Sequence, residues 1–567
     1  MDNQRLFAWA LFGLLMLMTY QAWQADYGPQ PVATNAEPVM IDADTPDELM
    51  PPGDTLPSLD GLTPVDAAPA ADSVPTVPGT VADNPATTTL IEVTTDVLTL
   101  AINPQGGDIV SAKLAKYPVR KDAADELVTL LSPEQTRFAV FRTGLATRDR
   151  DNEPNHRAAF STERLQYALA DGEDTLVVPL RWTNAEGVTV TKSYTMRRGE
   201  YAVDLTLSID NKSDANWLAA PYGRIVHYSQ LPDRSMIDVE SYSFKGPVLY
   251  DGERYQKYKI KTLAEDGNVQ RDEVVGGWLA AIEHHFLTAV VPPADDSVRL
   301  QVGLSQDAFV AGYVGKPRTI AAGESLELPM TLFVGPKLQD QLRAVSERLP
   351  LTVDYGMLTL LAEPLFWLLD KVHGFVGNWG WSIIILTILI KLVFYKLTEQ
   401  SGRSIAKMRN LQPRLRAIQD RYKDDRQKLS QAMMDLYKRE KVNPAAGCLP
   451  ILIQMPFFIA FYWVLLESVE MRQAPFMLWI QDLSSRDPFF ILPVLMGVAM
   501  LIQQKMNPAP PDPVHAKVMK ILPIVFTVFF AFFPAGLVLY WFTNTLLGAL
   551  QQWQVNRVVA AEQKLRD

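Results

Sequence analysis

The stretch Asn378–Thr398 reads NWGWSIIILTILIKLVFYKLT, and its interpretation decides the fold. From Trp379 to Val393 every residue except Gly380, Ser382, Thr387 and Lys391 is strongly apolar. A run of about 20 such residues is what a helix needs to cross the hydrocarbon core of a bilayer. Lys391 lies inside that run, where a lysine costs roughly 2.5–3.5 kcal/mol on insertion scales. It therefore needs a partner, a water-filled cavity or a route to the surface. Thr387, Lys391, Tyr395 and Thr398 follow at spacings of four, four and three, which puts them on one face of a continuous helix.

Two readings of Lys391 stand side by side. Lys396 marks the cytoplasmic interface, five residues on, and about 7.5 Å of helix is a depth that a lysine stem can largely snorkel. Alternatively the lysine faces a wet cavity among helices. Polar residues recur in the other apolar runs: Gln454 and Tyr462, Gln503 and Gln504, then Tyr540, Thr543, Asn544 and Thr545. Each is costly in lipid unless hydrogen-bonded or wet, although such groups often serve as interhelical glue. Spacing does not choose between the two.

Outward from this stretch, residues 1–24 carry an apolar run, Leu6–Trp23, preceded by Arg5 and followed by no small-residue cleavage site. This predicts an uncleaved signal-anchor helix with a cytoplasmic N-terminus. Residues 25–88 are Pro-rich and acidic and predict a disordered tether. The formal net charge of −11 is matched by the eleven acids from Asp26 to Asp83, so the remainder is near neutral and a nucleic-acid binder is excluded. The single cysteine, Cys448, excludes an intrachain disulfide and any Cys-based metal or redox motif, and reads as a small packed residue.

Residues 89–345 hold alternating or β-branched runs such as DTLVVPLRW, GVTVTKSYTM and YAVDLTLSID, separated by turn-like NAEG and RRGE. They predict a large β-sandwich. No nucleophile elbow, phosphate loop or HExxH pattern occurs in it. Glu283, His284 and His285 are its one tempting cluster. Adjacent histidines on a strand point to opposite faces, so they cannot share a metal without a bulge. No catalytic residue, metal or cofactor is expected.

Residues 355–375 are apolar but contain Glu363, Pro364, Asp370, Lys371 and His373, and parity decides their place. The segment after Thr398 carries twelve basic residues between Arg403 and Lys441, which belong in the cytoplasm. The stretch 355–375 therefore lies on the outer face as an interfacial amphipathic helix, and 376–398 crosses. Residues 399–446 predict a basic helical hairpin, with too few apolar positions (Ile418, Leu429, Met433, Leu436, Tyr437) for a core of its own. Further spans are expected at 447–467, 487–506, 517–533 and 536–556, the last two folded at Phe533-Pro534-Ala535-Gly536. Residues 557–567 form a short cytoplasmic tail. The expected fold is a multi-domain membrane protein: an all-α polytopic core of six transmembrane helices, five of them in the core proper, plus a periplasmic β domain.

The runs GNWGWSIII, AKMRNLQP, MMDLYKREKVNPAAGCLPILIQMPFF, VEMRQAPFMLWIQDLS, DPFFILPVLMG and FFPAGLVLYWFTN make the chain resemble the YidC/Oxa1/Alb3 membrane protein insertases, and among them the Gram-negative bacterial branch. The resemblance covers the chain from the anchor to the last span. It implies a β-supersandwich periplasmic domain and a hydrophilic groove open to the cytoplasm and laterally to lipid but closed to the periplasm. It makes Lys391 the groove cation, places Thr387, Gln454 and Asn544 in the groove, and puts Tyr540 and Trp541 where clients pass. Implied partners are nascent integral membrane proteins, membrane lipids, the Sec translocon with its accessory subunits, and the ribosome and signal-recognition receptor through the cytoplasmic loops. The implied location is the bacterial inner membrane with both termini inside. The chain departs from the family pattern at Lys391, where many relatives have arginine, at Lys396, where relatives often have proline, and in its short tail, which lacks a long basic extension. A secondary transporter or channel is the alternative, but no internal repeat supports it. An enzyme anchored by the β domain is the third reading, without an acid/base constellation to carry it.

Overall fold

The computed structural model describes residues 89–147, 153–228, 243–305, 308–422, 425–440, 449–506 and 513–564. The expected signal-anchor, the tether, Cys448 and the last residues of the tail lie outside them. Two compact units divide the chain at Val353/Asp354.

The first unit contains nineteen strands in sheets of five, six and eight, with two short helices, α1 (Ile260–Asp266) and α2 (Gln339–Val345). The β-rich reading of 89–345 is correct. Val188–Arg197 and Ala202–Asn211 alternate buried and partly exposed residues along nearly their whole length, as half-buried strands must. Trp217–Tyr228 is buried across eight consecutive residues, because it lies between Ala139–Ala146 and Ala308–Gly315 and is covered on both faces.

One inward position of this alternation is a lysine. Lys192 is fully buried, and its Nζ donates to Gly106 O at 2.6 Å, Thr143 O at 2.8 Å and Thr143 Oγ1 at 3.0 Å, with Asp108 Oδ1 at 3.3 Å. The ring of Phe160 lies 4.9 Å below the ammonium. Burial pulls the lysine pKa down, and the Asp108 carboxylate opposes that pull. The turn that presents Gly106 needs glycine: its φ is +84°, and a Cβ there would meet His156 O at 2.4 Å. Removing one partner of a buried pair strands the other charge. Lys192→Met is therefore expected to lower the stability of this unit by about 3–5 kcal/mol, and adding Asp108→Asn to recover much of it. Denaturant titrations of the two variants check this.

The second unit is helical. Its elements are α3 (Thr359–Val376), α4 (Trp379–Val393), α5 (Tyr395–Asn410), α6 (Gln412–Arg421), α7 (Arg426–Arg439), α8 (Leu449–Glu467), α9 (Ile491–Met506), α10 (Pro513–Phe530) and α11 (Ala535–Lys564). α3 buries Ala362, Leu365, Phe366 and Leu369 on one stripe and leaves Leu360, Trp367 and Phe375 exposed. It ends at Gly377 in the left-handed region, and Asn378 caps α4 by accepting from Trp381 N at 3.1 Å.

Two sequence expectations change here, and the helix lengths add a third observation. The helix expected to run unbroken through Thr398 stops at Val393, and α5 leaves at 70°. Tyr395 and Thr398 consequently do not share a straight helix face with Thr387 and Lys391. Neither glycine nor proline causes the break. Gln551 Nε2 donates to the Tyr395 carbonyl at 3.3 Å, and the Phe394 ring packs edge-on against Phe457 at 5.2 Å. Second, the basic hairpin has a small core after all: Leu411, Leu415 and Leu436 cluster, with Met408, Ile418, Met433 and Tyr437 against them. The residues not counted come from the end of α5 and the start of α6. Third, among the described residues no single helix is long and apolar enough to cross a membrane. The bent pair α4–α5 meets that test jointly, and Ile453–Glu467 and α9 are shorter apolar helices. At about 1.5 Å per residue, α4 is only about 22 Å long against a hydrocarbon core of about 30 Å.

Candidate functional site

The 30-residue helix α11 is the spine of the second unit, in contact with α4, α5, α8 and α9. Along its last half it is fastened to α5. Gln552 Nε2 donates to Gly402 O at 3.4 Å and to Asn556 Oδ1 at 2.9 Å, while Ala406, Val555 and Val559 close into one cluster. Arg403 adds exposed ion pairs to Glu562 at 2.9 Å and to Glu399 at 3.1 Å, each worth little in water.

Lys391 occupies the last turn of α4 and reaches α11 at Gly548. Its Nζ lies 3.6 Å from where a Cβ on Gly548 would stand, and Gln503 Nε2 of α9 lies 3.0 Å from the same point. The missing side chain is what lets an ammonium and an amide from two other helices converge there. Lys391 is half-buried and makes neither hydrogen bond nor ion pair among the described residues. A largely apolar cavity of about 310 Å³ opens beside it, with Leu392, Leu547, Leu550 and Trp553 in its wall and Lys391, Tyr395, Gln551 and Gln554 as its polar members. A cation held there without a protein partner is one that needs water or a ligand anion.

The other residues singled out from sequence are distributed as follows. Asn544 is half-buried on α11, one turn before Gly548 on the same face, and makes no hydrogen bond among the described residues. Gln454 is likewise half-buried and unpaired on α8. Thr387 is 1% exposed and donates to Ile383 O at 2.6 Å, so its hydroxyl is spent on its own helix. Tyr540 is buried and lies against Phe458 at 5.7 Å and Phe461 at 4.9 Å. Trp541 stands edge-on to Phe458 at 4.4 Å and packs on Phe530 at 5.0 Å, which makes an aromatic knot of α8, α10 and α11. Lys391 and the Asn544 face of α11 thus come together, whereas Tyr540 and Trp541 belong to that knot. Gly548, Gln551 and Gln554 were not read as site residues; their signal was the Tyr540, Asn544, Gly548, Gln551 periodicity along one helix face.

The histidine cluster of the β unit is built differently from the expectation. His284 and His285 form the turn between Trp278–Glu283 and Phe286–Val291 rather than lying on a strand, with His284 at φ +50° and the two rings 3.7 Å apart. Among the described residues no group of three or more His, Cys, Asp or Glu could hold a metal ion. Glu283 instead accepts from His227 Nε2 at 2.6 Å, while His227 Nδ1 faces Tyr228 O at 2.8 Å.

The chain thus contains a sheet-rich unit and a helical unit, the latter carrying a half-buried lysine with no partner among the described residues at a cleft lined by α4 and α11. Comparison with known proteins gives the class. The family profile described as "YidC periplasmic domain" matches residues 90–368, and the one described as "60Kd inner membrane protein" matches residues 371–563. The "Membrane protein insertase YidC" of Thioalkalivibrio sulfidiphilus is 48% identical over 98% of both chains. That of Nitrosococcus oceani is 44% identical over 99% of this chain and 100% of its own. A solved structure titled "Active YidC insertase crystal structure with the first transmembrane domain resolved" aligns over 82% of this chain and 92% of that one, at 17% identity and a TM-score of 0.38. At that score it adds nothing to the assignment. The chain belongs to the YidC membrane protein insertase family.

The His227 geometry yields a pH prediction. Burial lowers the imidazole pKa, but the Glu283 carboxylate and the Tyr228 carbonyl outweigh it and hold the value above 6.5. A raised folded-state pKa means that the stabilisation is fully present below about pH 6.5 and is lost as pH rises through the folded value. The denaturation midpoint of the β unit is expected to fall between pH 6 and 8 by more in the native chain than in Glu283→Gln. Equal slopes in the two titrations would contradict it.

Proposed function

We propose that this chain inserts integral membrane proteins into the bacterial inner membrane and assists their folding, using the cavity at Lys391 as the cytoplasm-open end of a hydrophilic groove. The observation that carries the reading is a half-buried cation without a protein partner, converging with Gln503 on Gly548 beside a cavity. Family membership supports it.

In this topology the N-terminal segment, α4, α8, α9, α10 and α11 cross the membrane, with the β unit in the periplasm and both termini in the cytoplasm. α3 lies in the outer interface, and the basic α6–α7 hairpin faces the cytoplasm. The helices α4, α8, α9 and α10 hold 15 to 19 residues each, short for a bilayer, so the hydrocarbon thins around them. Thinning and a wet groove together shorten the apolar path that a client's hydrophilic segment must cross. Lys391 attracts acidic residues of that segment, more strongly than in water because the surroundings are of low dielectric. Gln454 and Asn544 offer exchangeable hydrogen bonds, and the client's apolar segments leave sideways into lipid. No covalent step is involved.

The clients are nascent membrane proteins. The Sec translocon is a partner for larger clients, and the basic hairpin suits the anionic surfaces of lipid headgroups and of the ribosome. In proteoliposomes, Lys391→Ala is expected to reduce insertion of a small client with an acidic external segment by about tenfold, the value of one charge-assisted contact. Lys391→Arg should retain most activity. Equal insertion by all three proteins would sink the role of the cation.

A further inference from the structure

The connector between α8 and α9, residues 468–490, is long, yet it is densely tied by its own hydrogen bonds. Asp482 accepts from Gln473 N, Ser484 N, Ser484 Oγ and Ser485 Oγ at 2.7–2.9 Å. Asp487, 1% exposed, accepts from Trp479 Nε1 and Phe489 N at 3.0 Å and from Leu492 N at 2.7 Å, which also caps α9. The connector buries Val469, Met471, Ile480 and Leu483. Three of the five non-glycine residues with positive φ among the described residues lie in it: Gln473, Leu478 and Phe490. Left-handed backbone at such residues persists only where neighbouring contacts over-determine it. This loop is therefore a fixed body, not a flexible link.

It is fixed to the ends of two other helices. At the start of α11, Ala535 N donates to Ser485 O at 2.7 Å and Gly536 N to Leu483 O at 2.8 Å. At the start of α4, Asn378 works in two directions. Its Oδ1 caps α4, and its Nδ2 donates to the carbonyls of Phe476 at 3.0 Å and Pro475 at 3.2 Å. Two residues on, Gly380 lies against the Phe476 ring so closely that a Cβ there would collide with it.

The family resemblance implies a groove closed on its outer side; we propose that Asn378 is the positioning residue that keeps it closed, by latching α4 to the rigid connector 468–490. The proposal rests on the membrane topology above. The cap joins the outer ends of α4, α8, α9 and α11 in one hydrogen-bonded body. The α4 side of that body is made by two amide hydrogen bonds, the Gly380 contact and the Trp381 ring edge-on to Phe476 at 5.5 Å.

The test uses the full chain in proteoliposomes loaded with a small entrapped dye, with client insertion measured in the same vesicles. Asn378→Asp keeps the N-cap acceptor but replaces the donor to Pro475 and Phe476 with a repelling oxygen. It is expected to leak dye roughly fivefold to tenfold faster than the native protein, with helix content unchanged. Gly380→Ala should leak similarly. Adding Phe476→Ala to it removes the obstruction, keeps the carbonyl that Asn378 holds, and should restore retention to within about twofold. Native vesicles that insert the client, with both single variants folded and as tight as native, would overturn the latch. Native vesicles that fail to insert would overturn the function instead.

Discussion

The approach of α4 to α11 at Gly548 is the constraint on which the helical unit depends. A side chain at that position would occupy the point where the Lys391 ammonium and the Gln503 amide converge. Lys391 is on the last turn of α4, so its direction is set by where that helix stops. It stops at Val393; just beyond, Gln551 of the same α11 donates to the Tyr395 carbonyl and Phe394 packs against Phe457. A single long helix thus supplies the gap that admits the cation and part of the cavity wall.

From that constraint follows a division of α11 along its length. Its first turns are held by the connector at Leu483 and Ser485, and its next turn enters the aromatic knot through Tyr540 and Trp541. In its middle, Leu547, Leu550, Gln551, Trp553 and Gln554 line the cavity, and Gln551 is held by the Tyr395 carbonyl. Its end is fastened to α5 by Gln552 and the Ala406–Val555–Val559 contact.

Much of this was legible in the sequence. The inward alternation of Val188, Val190, Tyr194 and Met196 identifies a strand, and Pro534-Ala535-Gly536 marks the fold between α10 and α11. Lys192 was not legible as a core residue, because period two alone cannot reveal that Asp108, Gly106 and Thr143 wait opposite it. The break at Phe394 was invisible because no glycine or proline announces it. Lys391 was visible as a mid-span charge but stood balanced between snorkelling and a groove. The half-buried position with no partner among the described residues, and the cavity beside it, support the proposed groove reading. Thr387 shows the limit of face periodicity, since its hydroxyl is bonded back to Ile383 within α4.

The most direct test of the account is site-specific photocrosslinking to a ribosome-stalled membrane-protein client, comparing a probe at position 391 with one at the exposed Val393. The account predicts that the probe at 391 captures the client's hydrophilic segment, while the probe at 393 captures lipid or the client's apolar segment. Capture of the hydrophilic segment at 393 and not at 391 would contradict it.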